Sequence, residues 1–264
     1  MGVINVTPDS FSDGGQALEP SRARAMALAM QAAGADIIDI GAESTRPGAP
    51  PVSGATELAR LLPVLDAIGP HVTIPISIDT YKAEVAAMAL DAGAAMVNDI
   101  SALEYDPRLG PLAAARGVPV VLMHTRGRPQ DEYARAEYGD VVSDVCADLQ
   151  RAVDRALAHG VARDSVIVDP GIGFAKRAEH SLQALAGTAR LAELGLPVLV
   201  GPSRKSFLVT ATGPLLPEDR DWPTAAAVTA AVLGGAHIVR VHNVEKMVHV
   251  VRVADALRLA TGPS

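Results

Sequence analysis

Eight short runs of aliphatic and β-branched residues recur along this chain, and an alanine-rich stretch of helical character follows each one. The runs are residues 2–7 (GVINVT), 36–42 (DIIDIGA), 74–80 (IPISIDT), 95–101 (AMVNDIS), 118–124 (VPVVLMH), 165–171 (SVIVDPG), 196–202 (LPVLVGP) and 236–242 (AHIVRVH). Helices are expected near 20–33, 54–68, 82–92, 107–116, 139–159, 179–194, 223–233 and 244–260. Gly34, Gly93, Gly117, Gly160, Gly195 and Gly235 close them, as residues needing a left-handed backbone do. Strict alternation demands parallel strands joined by right-handed crossovers. Eight repeats favour closure into a (β/α)₈ TIM barrel over an open sheet. With no low-complexity linker, residues 1–264 read as one domain.

Composition narrows the function classes. Apolar residues make up 49% of the chain and aromatics only 3%, so Ala, Val, Leu and Ile must fill the core. A net charge of −7 argues against general nucleic-acid binding. No run reaches the length of a membrane span, and the single Cys146 cannot pair internally; both fit a cytoplasmic protein.

The barrel reading makes a demand on residue placement, because chemistry in this fold collects at the C-terminal strand ends. Those ends carry Asn5, Glu43 to Arg46, Asp79, Asn98 and Asp99, His124, Asp169, Ser203 to Lys205, Arg240 and His242. The strand beginnings carry little. One end of the barrel is therefore polar, with an active site expected there.

Arg46, Lys205, Arg240 and His242 can grip an anion, and Arg240 and His242 share a strand face by their spacing. Each alone could be a surface charge; together they suit a di- or triphosphate. Asp79 and Asp169 end apolar runs, where a carboxylate needs donors. Either a structural ion pair supplies them or the amidine-like edge of a pterin or guanine does, with Asn98 reading another part of the ring. In DPGIGFAK (169–176) the G-x-G-x-x-G pattern fails at Lys176. His71, His159, His180 and His249 read as surface residues, and the histidines lack zinc-site spacing. Mg²⁺ could bind through one protein ligand plus substrate phosphates, with Asn5 and the loop after it the candidates.

These motifs resemble the dihydropteroate synthase family of folate biosynthesis. The match rests on GVINVTPDSFSDGG (2–15), DIGAESTRPGA (39–49), SIDTYK (77–82), VNDIS (97–101), VVLMH (120–124), DPGIGFAK (169–176), GPSRKSFL (201–208) and VRVHNV (239–244). The resemblance implies condensation of 6-hydroxymethyl-7,8-dihydropterin diphosphate with p-aminobenzoate, giving 7,8-dihydropteroate and pyrophosphate. It implies pterin contacts from Asp79, Asn98, Asp169 and Lys205, and diphosphate contacts from Asn5, Arg46, Arg240 and His242. Asn5 would also ligate Mg²⁺, and Phe11, Thr45, Pro47, Phe174, Ser203 and Lys205 would form the p-aminobenzoate pocket. Catalysis would fall to Asp79, Lys205, Arg46, Arg240 and His242. Sulfonamide sensitivity and a homodimer through the late helices are further implications, and loops 8–19 and 44–54 would act as lids.

Four departures stand out: Ala42, Ile172 and Ala175 occupy positions where the family usually has Gly, Phe and Gly, and Asn243 replaces a common Asp. Family members also carry residues ahead of the first motif, so the start implies a more open barrel floor or a position downstream of the native one. Rival readings are a pterin-binding methyltransferase-type domain, a non-catalytic pterin-binding paralogue, and an aldolase using Lys205.

Overall fold

In the computed structural model, described for residues 1–7, 19–45, 48–128 and 132–260, the alternation is realised almost element by element. The order is β1 (Gly2–Asn5), α1 (Pro20–Ala32), β2 (Ile38–Gly41), α2 (Gly54–Ile68), β3 (Ile76–Asp79), α3 (Ala83–Asp91), β4 (Met96–Asp99), α4 (Leu109–Arg116), β5 (Val120–Met123) and α5 (Val141–Ala158). There follow β6 (Val166–Asp169), α6 (Ala178–Ala186), α7 (Thr188–Ala192), β7 (Leu199–Val200), α8 (Val209–Thr212), α9 (Asp221–Leu233), β8 (Ile238–Val239) and α10 (Val244–Ala260). The six glycines expected to close helices all have positive φ. No described helix is long and apolar enough to cross a membrane.

Strands β1 to β6 pair in parallel and in sequence order, and β7 pairs with β8. Parallel bridges Val168–Val198 and Gly2–Val241 join the two sheets at both edges, which closes the barrel. The chain thus adopts the α/β TIM-barrel fold its alternation demands.

One expected helix is broken. The stretch 179–194 divides at Gly187 into α6 and α7, at a point where α5 packs too closely for a side chain. A Cβ on Gly187 would lie 2.6 Å from a Val142 methyl.

Alternation along each strand sorts side chains into two sets. Ile4, Ile38, Ile40, Ile78, Val97, Val120, Leu122, Val166, Val168, Val198 and Val200 point outward and pack beneath the helices in two apolar clusters. At roughly 1.5–3 kcal/mol for each large aliphatic side chain buried, this shell is the main favourable term in folding. The other parity fills the barrel. Met1, Ile37, Met96, Val121, Ile167, Leu199 and Ile238 pack together at its lower end. Two residues further along four of these strands, the inward positions turn polar: Asp39, Asn98, Asp169 and Arg240.

Candidate active site

Register defines the polar layer. Asn5 pairs with Gly41, Gly41 with Asp79, and Asp79 with Asn98, so four strands place these residues in one row. Gly41 contributes no side chain to the row, and Asp79 leans into the space; a Cβ there would lie 3.2 Å from the Asp79 Cβ. Asp39 occupies the same strand two residues deeper, paired with Ser77.

Arg240, just past β8, spans the two levels. Its Nε donates to Asp39 Oδ2 at 2.6 Å and its Nη2 to Asp79 Oδ2 at 2.9 Å. Asn98 Nδ2 donates to the same Asp39 oxygen at 3.0 Å. Asp39 is fully buried, and its Oδ1 has no hydrogen-bond partner among the described residues. Burial pushes the Asp79 carboxyl up to about 7, against the pull of Arg240 and with a further push from Asp39. Two carboxylates share one guanidinium, which favours a proton on Asp79.

Asp169 completes the acidic side. Its Oδ1 accepts from Gly171 N at 2.7 Å, and burial raises its proton affinity while Lys205, Lys176 and Arg240 offset the rise. The β6–α6 loop then brings Phe174 to the mouth. Lys205 Nζ donates to Ile172 O and lies 4.6 Å from the Phe174 ring centroid. Beside it, Ser203 Oγ and His242 Nδ1 are 3.0 Å apart, and His242 N donates to the same hydroxyl at 3.2 Å.

The structure therefore brings Asp79, Asn98, Asp169, Arg240 and Lys205 to one barrel mouth, with Ser203, His242 and Phe174 on its β6–β8 side. Asn5 tops β1 and Thr45 lies half-buried after β2. Arg46, Pro47 and Phe11 fall outside the described residues, as does segment 8–18, so the loops expected to act as lids are described only in part. Arg240 and His242 do not engage one shared group here: the first is held by carboxylates, the second by Ser203.

Three features escaped the sequence reading. Asp39 was signalled by a charge inside the apolar run DIIDI, the same pattern that marked Asp79. Lys82 Nζ bonds Glu43 and lies 2.6 Å from Glu57, while Tyr81 donates to Glu43 at 2.9 Å. That knot fixes the start of the loop carrying Thr45. The middle residue of SRK turns outward: Arg204 takes a left-handed φ of 60° and pairs with Asp221 at 3.0 Å. Two of the histidines read as surface residues are half-buried: His180 packs edge-on against Tyr138, and His159 crowds Gly110.

The departures from the family pattern have local accommodations. Ala175 is buried at φ 46°, a conformation that suits glycine better. Ile172 is fully buried in the outer core, and Ala42 is buried with its carbonyl held by Arg60 at 2.9 Å. Asn243 donates to Asp221 Oδ2 at 2.7 Å and caps α10 by accepting from Lys246 N at 3.2 Å. An aspartate could cap the helix but not donate to Asp221.

A closed parallel barrel with buried carboxylates, an amide and cations converging at its mouth has the architecture of an α/β-barrel enzyme. The model of the family described as pterin binding enzyme matches residues 1–242. The dihydropteroate synthase of Synechocystis sp. is 48% identical over 257 residues, covering 97% of this chain and 89% of that one. The Mycobacterium leprae dihydropteroate synthase is 45% identical, with 100% and 94% covered. Among solved structures, the Yersinia pestis dihydropteroate synthase in complex with a sulfonamide drug superposes with a TM-score of 0.93 at 40% identity, covering 98% and 93% of the two chains. The Xanthomonas albilineans dihydropteroate synthase with 4-aminobenzoic acid gives 0.91 at 42%, covering 98% and 92%. The chain belongs to the pterin binding enzyme family and, within it, to the dihydropteroate synthases.

Proposed function

We propose that this barrel condenses 6-hydroxymethyl-7,8-dihydropterin diphosphate with p-aminobenzoate, releasing pyrophosphate. The observation that carries the reading is the convergence of Asp79, Asn98 and Asp169 on one mouth with Arg240 and Lys205. Carboxylates and an amide can read the N–H edge of a pterin, and cations can receive the diphosphate. Asp79, Asn98, Asp169 and Lys205 hold the ring. Arg46, Arg240, His242 and Asn5 receive the diphosphate, and Phe11, Thr45, Pro47, Phe174, Ser203 and Lys205 receive p-aminobenzoate.

The diphosphate leaves a methylene attached to an electron-rich ring, so departure precedes attack. Arg46, Arg240 and His242 neutralise charge growing on the leaving group, while Asp79 offsets positive charge on the pterin. Asn5 offers a neutral oxygen in the same row as Asp79, a donor type that suits Mg²⁺ alongside phosphate oxygens. Mg²⁺ held there would add to that neutralisation. The aniline nitrogen then attacks and sheds its proton without needing a strong base. Binding of the pterin must loosen Arg240 from Asp79, since both are otherwise satisfied by each other.

The whole of residues 1–264 acts as one domain in the cytoplasm. Exposed Trp222 on α9 and Val253, Leu257 and Leu259 on α10 support a homodimer through those helices. Incubation with pterin diphosphate, Mg²⁺ and p-aminobenzoate should release pyrophosphate only when p-aminobenzoate is present. Release without it, or binding of pterin with no release, would replace this reading with a hydrolase or a non-catalytic pterin binder.

A further inference from the structure

Lys176 has no place in that chemistry, yet it is one of the most deeply buried side chains, 1% exposed. A buried ammonium is costly unless its donors are met. Here three acceptors meet it: His124 Nδ1 at 2.8 Å, Phe174 O at 3.1 Å and Gly171 O at 3.2 Å. Because Nδ1 accepts from the ammonium, the imidazole proton sits on Nε2 and donates to Asp148 Oδ2 at 3.0 Å. Asp148 is fixed in turn by Arg126, at 3.0 and 3.2 Å, and by Arg151. A line of hydrogen bonds thus runs from a carboxylate on α5, through an imidazole at the end of β5, to the carbonyls of the β6–α6 loop.

That loop needs holding. Gly171, Gly173 and Ala175 all have positive φ, so its peptides alternate in direction and expose carbonyls. Side chains catch four of the five from 171 to 175: Lys176 takes 171 and 174, Lys205 takes 172, and Tyr138 takes 175 at 2.8 Å. Phe174, placed by these bonds, lies beneath Lys205 Nζ. Of the three anchors, Lys205 faces the substrates and must change partners when they bind. Lys176 and His124 are buried, 1% and 3% exposed, and stay.

We propose that Lys176, braced by His124 and Asp148, is a positioning residue that fixes the Gly171–Phe174 wall and so sets affinity for the aryl amine substrate. The inference rests on the proposed reaction for its kinetic expression, but not for its structural one. Lys176→Met removes the donor, Lys176→Gln keeps one, and Asp148→Ala releases the exposed end of the relay. Loss of a hydrogen bond from a charged donor should raise KM for p-aminobenzoate about tenfold in Lys176→Met, with Lys176→Gln recovering part of it and KM for the pterin diphosphate unchanged. Hydrogen–deuterium exchange of the 171–176 segment in ligand-free protein reads the wall directly and should speed up in Lys176→Met and Asp148→Ala. If Lys176→Met does not fold, Asp148→Ala carries the same two measurements. Equal shifts in both KM values, or unchanged exchange in a folded variant, would overturn the inference. Faster exchange in a chain that never releases pyrophosphate would sink the proposed reaction instead.

Discussion

Arg240 stands between Asp39 and Asp79, 2.6 Å from one carboxylate and 2.9 Å from the other, and joins residues 201 and 161 positions away in sequence. A guanidinium in that position both closes the barrel and furnishes its mouth. Arg240→Met should therefore cost stability as well as turnover, by about 3–5 kcal/mol, because it strands two buried carboxylates. Urea denaturation of the ligand-free protein measures this. A loss below about 1 kcal/mol, typical of an exposed pair, would contradict it.

Asp79 pulls stability and activity in opposite directions. Its carboxyl is raised above the ordinary range, so the charged form is disfavoured in the folded state and stability drains away as pH climbs from about 4 to about 7. Asp79→Asn cannot ionise. The ligand-free variant should melt above wild type near pH 8, with the gap closing toward pH 4, while turnover falls by roughly 100-fold or more. Full turnover in the variant would remove the electrostatic role given to Asp79.

His124 acts with the opposite sign over the same range. Burial first, and then Lys176, lowers it from 6.5 to about 4, so the folded protein keeps the ring neutral. Its contribution is intact above about pH 6.5 and lost as pH falls toward 4. His124→Gln, which can accept from Lys176 and donate to Asp148, should lose less stability than wild type across that window. Parallel melting curves for the two proteins would count against a neutral buried imidazole.

Gly171 has φ 64°, and a Cβ there would lie 1.9 Å from His124 O. Gly171→Ala should cost roughly 3 kcal/mol or abolish folding, since the obstruction is backbone. Gly48 has φ 78° and nothing within 4 Å of a Cβ, so Gly48→Ala should cost only about 1 kcal/mol. Similar melting temperatures for the two variants would show that the close approach does not matter.

Sulfonamides should inhibit competitively with p-aminobenzoate, because they present the same aniline to the wall beside Phe174 and Lys205. Pyrophosphate release that persists at saturating sulfonamide would rule this out. An apparent constant that ignores p-aminobenzoate concentration would do the same.

Strand order and the polar end of the barrel were legible because both depend on local spacing: inward parity, helix-closing glycines and the residue that ends each apolar run. Asp79 and Asp169 were readable as buried carboxylates for that reason. What joins them was not. That Arg240 would reach Asp39 depends on closure between the first and last strands, which no local pattern encodes. Lys176 looked like a failed glycine-motif position, since its burial depends on carbonyls turned inward by positive φ at Gly171, Gly173 and Ala175. The break at Gly187 was missed, and the close approach of Val142 from another helix, which leaves no room for a side chain there, is equally invisible to local spacing. Arg204 counted only as part of the polar end of its strand, and nothing local showed that its left-handed backbone turns it toward Asp221.

The two bridges that shut the barrel, Gly2–Val241 and Val168–Val198, flank its shortest strands, each two residues long. This late seam also delivers Ser203, Lys205, Arg240 and His242. Until it docks, Asp39 and Asp79 face each other without their shared cation, so an incomplete ring is electrostatically uncomfortable as well as unfinished. Assembly and competence are consequently one event: a chain that has not joined its last strand to its first has no site to offer, and cannot trap a reactive substrate in a half-built cavity.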